Sequence, residues 1–600
     1  EGQGSPVCRL LLGYDAELVA KYGFQRELVT RDVVYLPGRF DGMGSEIEPL
    51  DEIATRQAIL ARAGQVEAFA ISGYFSVLNP THELRVRAWV EDLTRQPDGR
   101  SLPTSCGHEL THKLNAIRRA TTATLNARLI PLLRELIATV QHSLLELGIH
   151  APLMVVKGDG SLVQAGWAIQ RPIETILSGP AASVVGAHHL TRRGDVWVVD
   201  VGGTTTDIAR LTAGRPRINP EGARVGPWRT MVEAVDVHTV GLGGDSQVTI
   251  SDDYNHERHG LKFGPRRVVP LCLLASQHPQ IVNQLKAQLV EDRKDSLAGQ
   301  FIVSNRRAGR QVAERDLELL EQLEAGPQSI IDLANTTGRP RYLLLRQLER
   351  LVAERLILPA GFTPTDALHV LGLFERWDIT AAVLGAELLA ARNGQAAEAL
   401  CQTVVNLVSD QVATELVSKV LSDEAVHPNW THEPVAMALL ARAFGRVPDS
   451  GLECRLGLNH PIAGIGAPVP AYLPRAAQQL RTDLVMPDHA GVANAVGAVV
   501  GGVIQQIRVT IHLLETARKR FRVHLPDGVC DFANLESAVA HARAVVPAQL
   551  EDQARTAGAA QIEIKIARYD NIAPIRAEWG GQLYLGTELV FTAMGRPALA

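Results

Sequence analysis

The sequence predicts an α/β protein of several domains, and three observations carry that prediction. Short apolar runs alternate with helical patterns along residues 1–195, which is the rhythm of strands and helices in α/β architecture. A Val- and Trp-rich run, Val196–Val201, ends in the cluster Asp200-Val201-Gly202-Gly203-Thr204-Thr205-Thr206-Asp207. Two further strand-like runs end in glycines, within 235–246 and 462–466. A chain of 600 residues exceeds what one hydrophobic core sustains, so about three or four domains are expected.

The composition, 46% apolar and 21% charged, is that of a folded chain rather than a disordered one. A net charge of −5 supplies no basic field for nucleic acid. The longest smooth apolar segment, Val492 to Ile504, is glycine-rich and too short to span a bilayer. The sequence opens Glu1-Gly2-Gln3-Gly4 with neither a basic nor an apolar leader, so a cytoplasmic location is expected. Cys8, Cys106, Cys272, Cys401, Cys454 and Cys530 form no CxxC pair and read as scattered buried thiols. The sequon Asn429-Trp430-Thr431 carries little weight without a secretory signal.

In chain order, residues 66–72 read as a buried strand and 125–149 as a helix ending near Gly148. Residues 196–264 are strand-rich, with Val196–Val201 and Thr206–Leu211 joined as a hairpin. Residues 265–362 turn Arg-, Gln-, Glu- and Leu-rich, and 329–358 reads as helix, Gly-Pro turn, helix, similar to a helix-turn-helix or winged-helix unit. Helices return over 363–500. Residues 503–600 read as an α+β tail: a helix, a strand at 521–525, a helix near 534–557, and strands near 561–568 and 582–593. The expected domains are therefore 1–195, then 196–264 with 363–502, then the insert 265–362, then 503–600.

A strand has no structural need to end as Val196–Val201 does. Glycine lets the backbone approach a ligand closely, and successive N–H groups in such a turn form an anion-binding concavity. Thr204, Thr205 and Thr206 add hydroxyl donors, and Asp200 and Asp207 offer the carboxylate oxygens that Mg²⁺ prefers. A plain hairpin accounts for the glycines, but not for three threonines between two aspartates. No GxxxxGK[ST] loop is present in this stretch.

Three other segments have matching character: "SGPAASVVGAHHL" (178–190), "VDVHTVGLGGDS" (235–246) and "IAGIGAPVPAYLPRAAQQL" (462–480). Their order resembles the ATP-binding core shared by actin, sugar kinases and Hsp70, a two-lobed, ribonuclease H-like fold. With "RRATTATLNARLIPLL" (118–133), "RPIETILSGPAASVVGA" (171–187), "TDALHVLG" (365–372) and "GVANAVGA" (491–498), the chain resembles more closely the hydantoinase A/oxoprolinase family. The resemblance implies ATP and Mg²⁺ as cofactors. It makes Asp200 a metal ligand and Gly202, Gly203, Thr204, Thr205 and Thr206 a second phosphate loop, with Asp207 in the same site. Gly241, Gly243 and Gly244 would line the nucleotide, with Gly464 and Gly466 near adenosine. The helices from Ser178 and Gly491 would be connecting helices at an interdomain hinge. The implied reaction opens or activates a cyclic amide, such as a hydantoin or 5-oxoproline, by phosphorylating its amide oxygen. Asp207 and Asp236 are the candidate catalytic residues. A second, B-type subunit or a homo-oligomer is the expected partner. Related members are carboxylase subunits, and a non-catalytic, regulatory member is the alternative.

Three departures stand out. The family's first phosphate loop, near its N-terminus, is not in this sequence, because residues 1–20 already resemble the segment after it; either the sequence starts downstream of that loop or the protein lacks half of the phosphate clamp. The family's Gly-Gly-Gly-Ser is Gly243-Gly244-Asp245-Ser246. The insert 265–362 replaces a short linker.

Other patterns compete for chemistry. Asp236 and His238 alternate on a strand and would share a face; with His188 or His189 they make a metal or proton-transfer site, or His238 is simply a hydrogen-bonded strand histidine. His108-Glu109-Leu110-Thr111-His112 has HExxH spacing, which on a helix places two histidines together; no third ligand is evident in the sequence. Arg339, Arg341, Arg346 and Arg350 of the insert can meet DNA phosphates. The stripe Leu344, Leu348, Leu351 and Val352 with Glu349 and Glu354 outside reads equally as packing, and a protein-interaction or structural role is favoured over nucleic acid.

Overall fold

The computed structural model describes residues 6–22, 29–250, 260–291, 293–305, 312–447, 449–515, 520–574 and 582–598. The first five residues, on which the expectation about a leader rests, lie outside them. The chain is mixed α/β and divides into two compact units: residues 1–186, 216–236 and 494–600, and residues 187–215 and 237–493.

The first unit holds two sheets. In one, four parallel strands stand in the order Val33–Leu36, Val7–Leu12, Ala68–Gly73, Thr104–Cys106. Every residue of Val7–Leu12 and Ala68–Gly73 is buried, as strands covered on both faces require. The helix expected from 125 in fact runs from Ala116 to Glu146, started by the Asn115 side chain accepting from Arg118 N.

The second sheet corrects the expected boundary at 503. Its order is Gly528–Phe532, Arg520–Leu525, Val503–Glu515, Gln582–Pro597, Ala559–Pro574. Leu162–Gln164 joins it in register Val503↔Leu162 and brings in Met154–Val156. The C-terminal segment thus completes a sheet begun before residue 165 and is not a separate domain. Val503–Glu515, expected as a helix, is a strand. Val503, Gln505, Ile507, Val509 and Ile511 are buried while Ile504 and Gln506 are exposed and Arg508 is half-buried, a period of two. The helix Leu535–Thr556, capped by Asn534, lays Ala538, Ala542, Val546 and Leu550 into the same core as Val509, Ile511 and Phe591.

In the second unit Val196–Val201 and Thr206–Thr212 form the expected hairpin, in register Asp200↔Asp207. Ile462–Ile465 runs parallel to Val196–Val201, with Ile465↔Asp200, and Val237–Val240 pairs antiparallel with Thr206–Thr212. Val199, Val201 and Ile208 share a core with Val404, Val408 and Val412 of the helix Ala397–Asp423 and with Tyr472 and Leu473 of Val469–Gln479.

Residues of the expected insert fall within this second unit. Ile330–Thr337, capped by Ser329, ends at Gly338 with φ +60°, and Arg341–Ala353 follows. Phe301–Ser304 lies between Ile357–Gly361 and Gln328–Ser329, which gives a three-helix, winged-helix arrangement with the helix Glu314–Glu324. Among the described residues no helix is long and apolar enough to cross a membrane. All six cysteines are free, and four of them are buried.

Candidate functional site

The hairpin tip is built by backbone. Gly202 N–H donates to Thr205 O at 2.9 Å, closing residues 202–205 into a tight turn. The loop Gly241–Ser246 grips this turn from one side. Gly244 N–H donates to Gly202 O at 3.0 Å, and Asp245 N–H to Gly203 O at 2.7 Å. Such an approach leaves no room for side chains. A Cβ on Gly243 would stand 2.5 Å from Gly203 O, and one on Gly203 would stand 2.7 Å from Asp245 Oδ2. On the other side Gly466 has φ +104°, and a Cβ there would meet Val201 O at 2.2 Å and Asp200 Oδ1 at 3.2 Å.

This arrangement separates the sequence candidates by task. The N–H groups of Gly203, Thr204 and Thr205 hydrogen-bond to no acceptor among the described residues, and Gly203 and Thr204 are exposed. They are the donors an anion can use. Thr206, by contrast, is buried and its hydroxyl donates to Leu242 O at 2.7 Å. Gly243 N–H donates to the Ser246 hydroxyl at 2.9 Å. Gly244 accepts at its carbonyl from Thr365 N–H and hydroxyl. Gly464 is buried where the side chains of Val469 and Leu473 cross the strand, each 2.6 Å from where its Cβ would be. Gly241 stays exposed with open space around it. Thr206, Gly243, Gly244 and Gly464 therefore shape the loop from behind.

Two carboxylates stand at the base of the turn. Asp200 and Asp207 are directly opposed across the antiparallel ladder and so share one face. Burial pushes the Asp207 carboxyl up, and hydrogen bonds from the Thr239 hydroxyl (2.6 Å) and the Thr205 hydroxyl (3.5 Å) work against it. Asp245, the departure from the family pattern, is also pushed up by burial, against the opposing charge of Arg267, which donates to it at 3.1 Å.

Asp236 belongs to the first unit, where its carboxylate accepts from Asn219 at 3.2 Å and pairs with Arg217 at 3.7 Å. The strand that carries His238 begins at Val237, so Asp236 stands just outside it. His238 instead meets Glu415 at 2.8 Å, and His188 meets the carbonyl of Arg193.

HExxH is also corrected. Gly107–Glu109 is a single 3-10 turn and residues 111–115 have no regular structure, so His108 and His112 share no helical face. Glu109 is held below the usual carboxylate range because Arg171, His108 and Arg87 outweigh its burial. Burial drives His112 down to about 4. What the sequence did not suggest is the partner of His108. Glu83, fully buried, accepts from His108 N–H (3.0 Å), His108 Nδ1 (2.5 Å) and Gly73 N–H (2.7 Å). Burial alone would raise Glu83, but His108 and Arg119 outweigh it and hold the carboxyl low. With Cys106 these two are the only group of three metal-ligating side chains within reach of one another among the described residues. No spacing signal links position 83 to 106–108; the parallel pairing of Ala68–Gly73 with Thr104–Cys106 does.

The helix Ser178–Thr191 and the helix Ala493–Val500 form as the segments 178–190 and 491–498 suggest. A Cβ on Gly497 would lie 1.8 Å from Ala182 O, so the two backbones touch there.

These features can be set beside known proteins. The hydantoinase/oxoprolinase N-terminal region matches residues 11–94, and the hydantoinase/oxoprolinase domain matches residues 119–282, which includes the hairpin turn and the loop that grips it. The chain is 28% identical over 347 residues to caprolactamase subunit alpha of Pseudomonas jessenii, covering 56% of this chain and 48% of that protein. It is 27% identical over 248 residues to the acetophenone carboxylase gamma subunit of Aromatoleum aromaticum, covering 40% and 32%. The matches therefore span about half or less of these relatives' lengths. Two solved structures share the fold across 99% of this chain and 76% of theirs: nucleotide-free acetone carboxylase (TM-score 0.57, 15% identity) and the ATP-dependent caprolactamase of P. jessenii (TM-score 0.56, 18% identity). The glycine turn and the loop that grips it thus lie in a segment similar to the hydantoinase/oxoprolinase domain, and residues 11–94 are similar to the N-terminal region of the same family.

Proposed function

We propose that this chain is the nucleotide-binding subunit of an ATP-dependent enzyme that activates a cyclic amide, with an actin-like core. The observation that carries the proposal is the turn Gly202–Thr205. Its outward N–H groups are unspent, and its backbone is clamped by glycines that admit no side chain. A clamp of this kind positions a polyphosphate and offsets its charge, which is most of what phosphoryl transfer asks of a protein.

In the proposed reaction the amide oxygen attacks the γ-phosphorus of ATP. The bond from that phosphorus to the β,γ-bridging oxygen breaks, and ADP leaves. Water then adds to the activated carbon, the ring C–N bond breaks as the nitrogen takes a proton and leaves as the amine, and a second water hydrolyses the resulting acyl phosphate to carboxylate and inorganic phosphate. Gly203, Thr204 and Thr205 would hold phosphate oxygens through their N–H groups. Asp207, raised by burial, is the candidate to take a proton. Mg²⁺ fits the donor set, because Asp200 and Asp207 are like charges directly opposed on one ladder, a pairing that costs energy without a cation between. When bound, the ion would neutralise phosphate charge.

The names of the relatives, a caprolactamase and an acetophenone carboxylase subunit, support a partner subunit and keep carboxylation as the second reading. Asp245 beside Gly203 favours a third, in which nucleotide is sensed rather than consumed. Calorimetry of Mg·ATP on the full chain tests the proposal, beside Asp200→Ala and Gly203→Val. Binding that is lost in both variants is expected. A folded wild-type chain that binds no Mg·ATP overturns the proposal.

A further inference from the structure

The strongest unassigned feature is a cleft of about 460 Å³ in the winged-helix insert, lined by Arg315, Asp316, Arg339, Arg346, Gln347 and Arg350. Four guanidiniums there face one lining carboxylate. The cleft lies between the start of the helix Glu314–Glu324 and one side of Arg341–Ala353. Leu344, Leu348 and Leu351 turn into the insert's core, which leaves Arg346 on the opposite, outward side of the same helix, beside exposed Tyr342.

The arginines are held in place from beneath. Asp316 is fully buried, and its Oδ1 accepts from Arg350 at 2.6 Å and from Gln347 Nε2 at 2.8 Å. Gln347 Oε1 in turn accepts from Arg339 at 2.6 Å. A single relay, Arg350–Asp316–Gln347–Arg339, thus fixes two guanidiniums with one shared carboxylate. Arg315 leans on the other oxygen of Asp316 at 3.8 Å. At the rim Glu318 lies 3.5 Å from Arg339 and Glu354 lies 3.1 Å from Arg350. Arg346 is exposed and makes no ion pair among the described residues.

We propose that this cleft binds a phosphate-bearing small molecule, at a site separate from the glycine turn, with Arg346 as its primary contact and Arg339 and Arg350 as its fixed walls. Guanidinium forks match phosphate oxygens two at a time and, unlike lysine, lose little freedom when pre-positioned. The depression is shallow and open to solvent, and its volume of about 460 Å³ has room for a small anion. The surroundings argue against an extended polyanion. Between Val312 and Phe362 there are eight carboxylates and six arginines, so the charge is favourable inside the cleft and unfavourable beyond it. A compact anion uses the first and avoids the second; a nucleic-acid backbone meets both.

The test is titration calorimetry of the full chain with inorganic pyrophosphate, using Thr204→Glu to place a repelling carboxylate on the exposed hairpin turn and Arg346→Glu to reverse the charge in the cleft. Both positions are exposed, and thermal unfolding checks that both variants fold. Pyrophosphate binding that persists in Thr204→Glu and weakens about tenfold or more when Arg346→Glu is added to it is expected for a doubly charged anion beside a reversed charge. Arg346→Lys, which keeps the charge but not the fork, should fall between. Unchanged affinity when Arg346→Glu is added to Thr204→Glu overturns the proposal, and so does complete loss of binding in Thr204→Glu alone. A short DNA duplex provides the last arm. If it binds more tightly than pyrophosphate and needs Arg346, the small-molecule proposal fails and the cleft is part of a nucleic-acid surface.

Discussion

Two strand ends, one in each unit, carry most of the polar character described above, and they are built in opposite ways. At Gly202–Thr205 the side chains are removed and the backbone is left with unspent donors. At Gly73 and Cys106 the side chains are kept, and Glu83 collects two backbone N–H groups and the His108 ring into a buried, mutually satisfied set. A region that has used its hydrogen-bonding capacity internally contributes stability and positions its neighbours. A region that has not is available to a ligand. The contrast separates a candidate binding turn from a candidate structural network without reference to charge, since both contain carboxylates.

Substitutions can break this contrast, beginning with the largest effect. Gly243→Ala places a Cβ 2.5 Å from Gly203 O and 2.7 Å from Gly202 O, so the turn must shift. Nucleotide affinity should fall by more than about tenfold, with about 1–3 kcal/mol of stability lost to overpacking; unchanged affinity would show that the turn's shape is not what binds.

Glu83→Gln should cost about 3 kcal/mol at neutral pH, as breaking a buried charged hydrogen-bond set does, with little change in nucleotide affinity. The sign of its pH dependence follows from the lowered carboxyl. Wild-type stabilisation from Glu83 is complete above the unfolded glutamate range, about 4.3, and is lost as pH falls below it. Denaturant unfolding of the two proteins at pH 7 and at low pH should therefore show a gap that narrows with acid, and a constant gap would remove the charge from the account.

The smallest effect sharpens the contrast inside the turn itself. Thr206→Val removes the hydroxyl bound to Leu242 O and should cost about 1 kcal/mol while nucleotide affinity stays as it was. A large loss of affinity in this variant would return Thr206 to the phosphate contacts.

The hairpin was legible in the sequence because its signal is local. Two apolar runs, Val196–Val201 and Thr206–Leu211, joined by a short glycine turn read directly as a hairpin, and the register is Asp200↔Asp207. The division of labour among its threonines was not legible, since which of three adjacent hydroxyls faces inward depends on where the ladder resumes, and it resumes at Thr206. HExxH misled for the converse reason. Its spacing means something only on a helix, and the chain leaves the 3-10 turn after Glu109. Val503–Glu515 was read as a helix although its buried residues alternate strictly. Its partners, Leu162 and Gln582–Pro597, are too distant in sequence to have signalled a sheet. Glu83 was silent for the same reason: its partners Gly73 and His108 come together only once the parallel strands that lead to them pair, in register Ile71↔Cys106.

The pairing of Val503 with Leu162 also bears on how the protein is made. A ribosome adds roughly 5–20 residues per second, so on the order of half a minute separates the emergence of Leu162–Gln164 from that of the strand beside it. Throughout that interval the early strands have an uncovered edge, while residues 187–493 are synthesised as a nearly complete unit of their own. Emergence of residues 494–600, rather than the first collapse, is the step at which the first unit can close, and exposed strand edges in that window are where chaperone capture and misassembly would act.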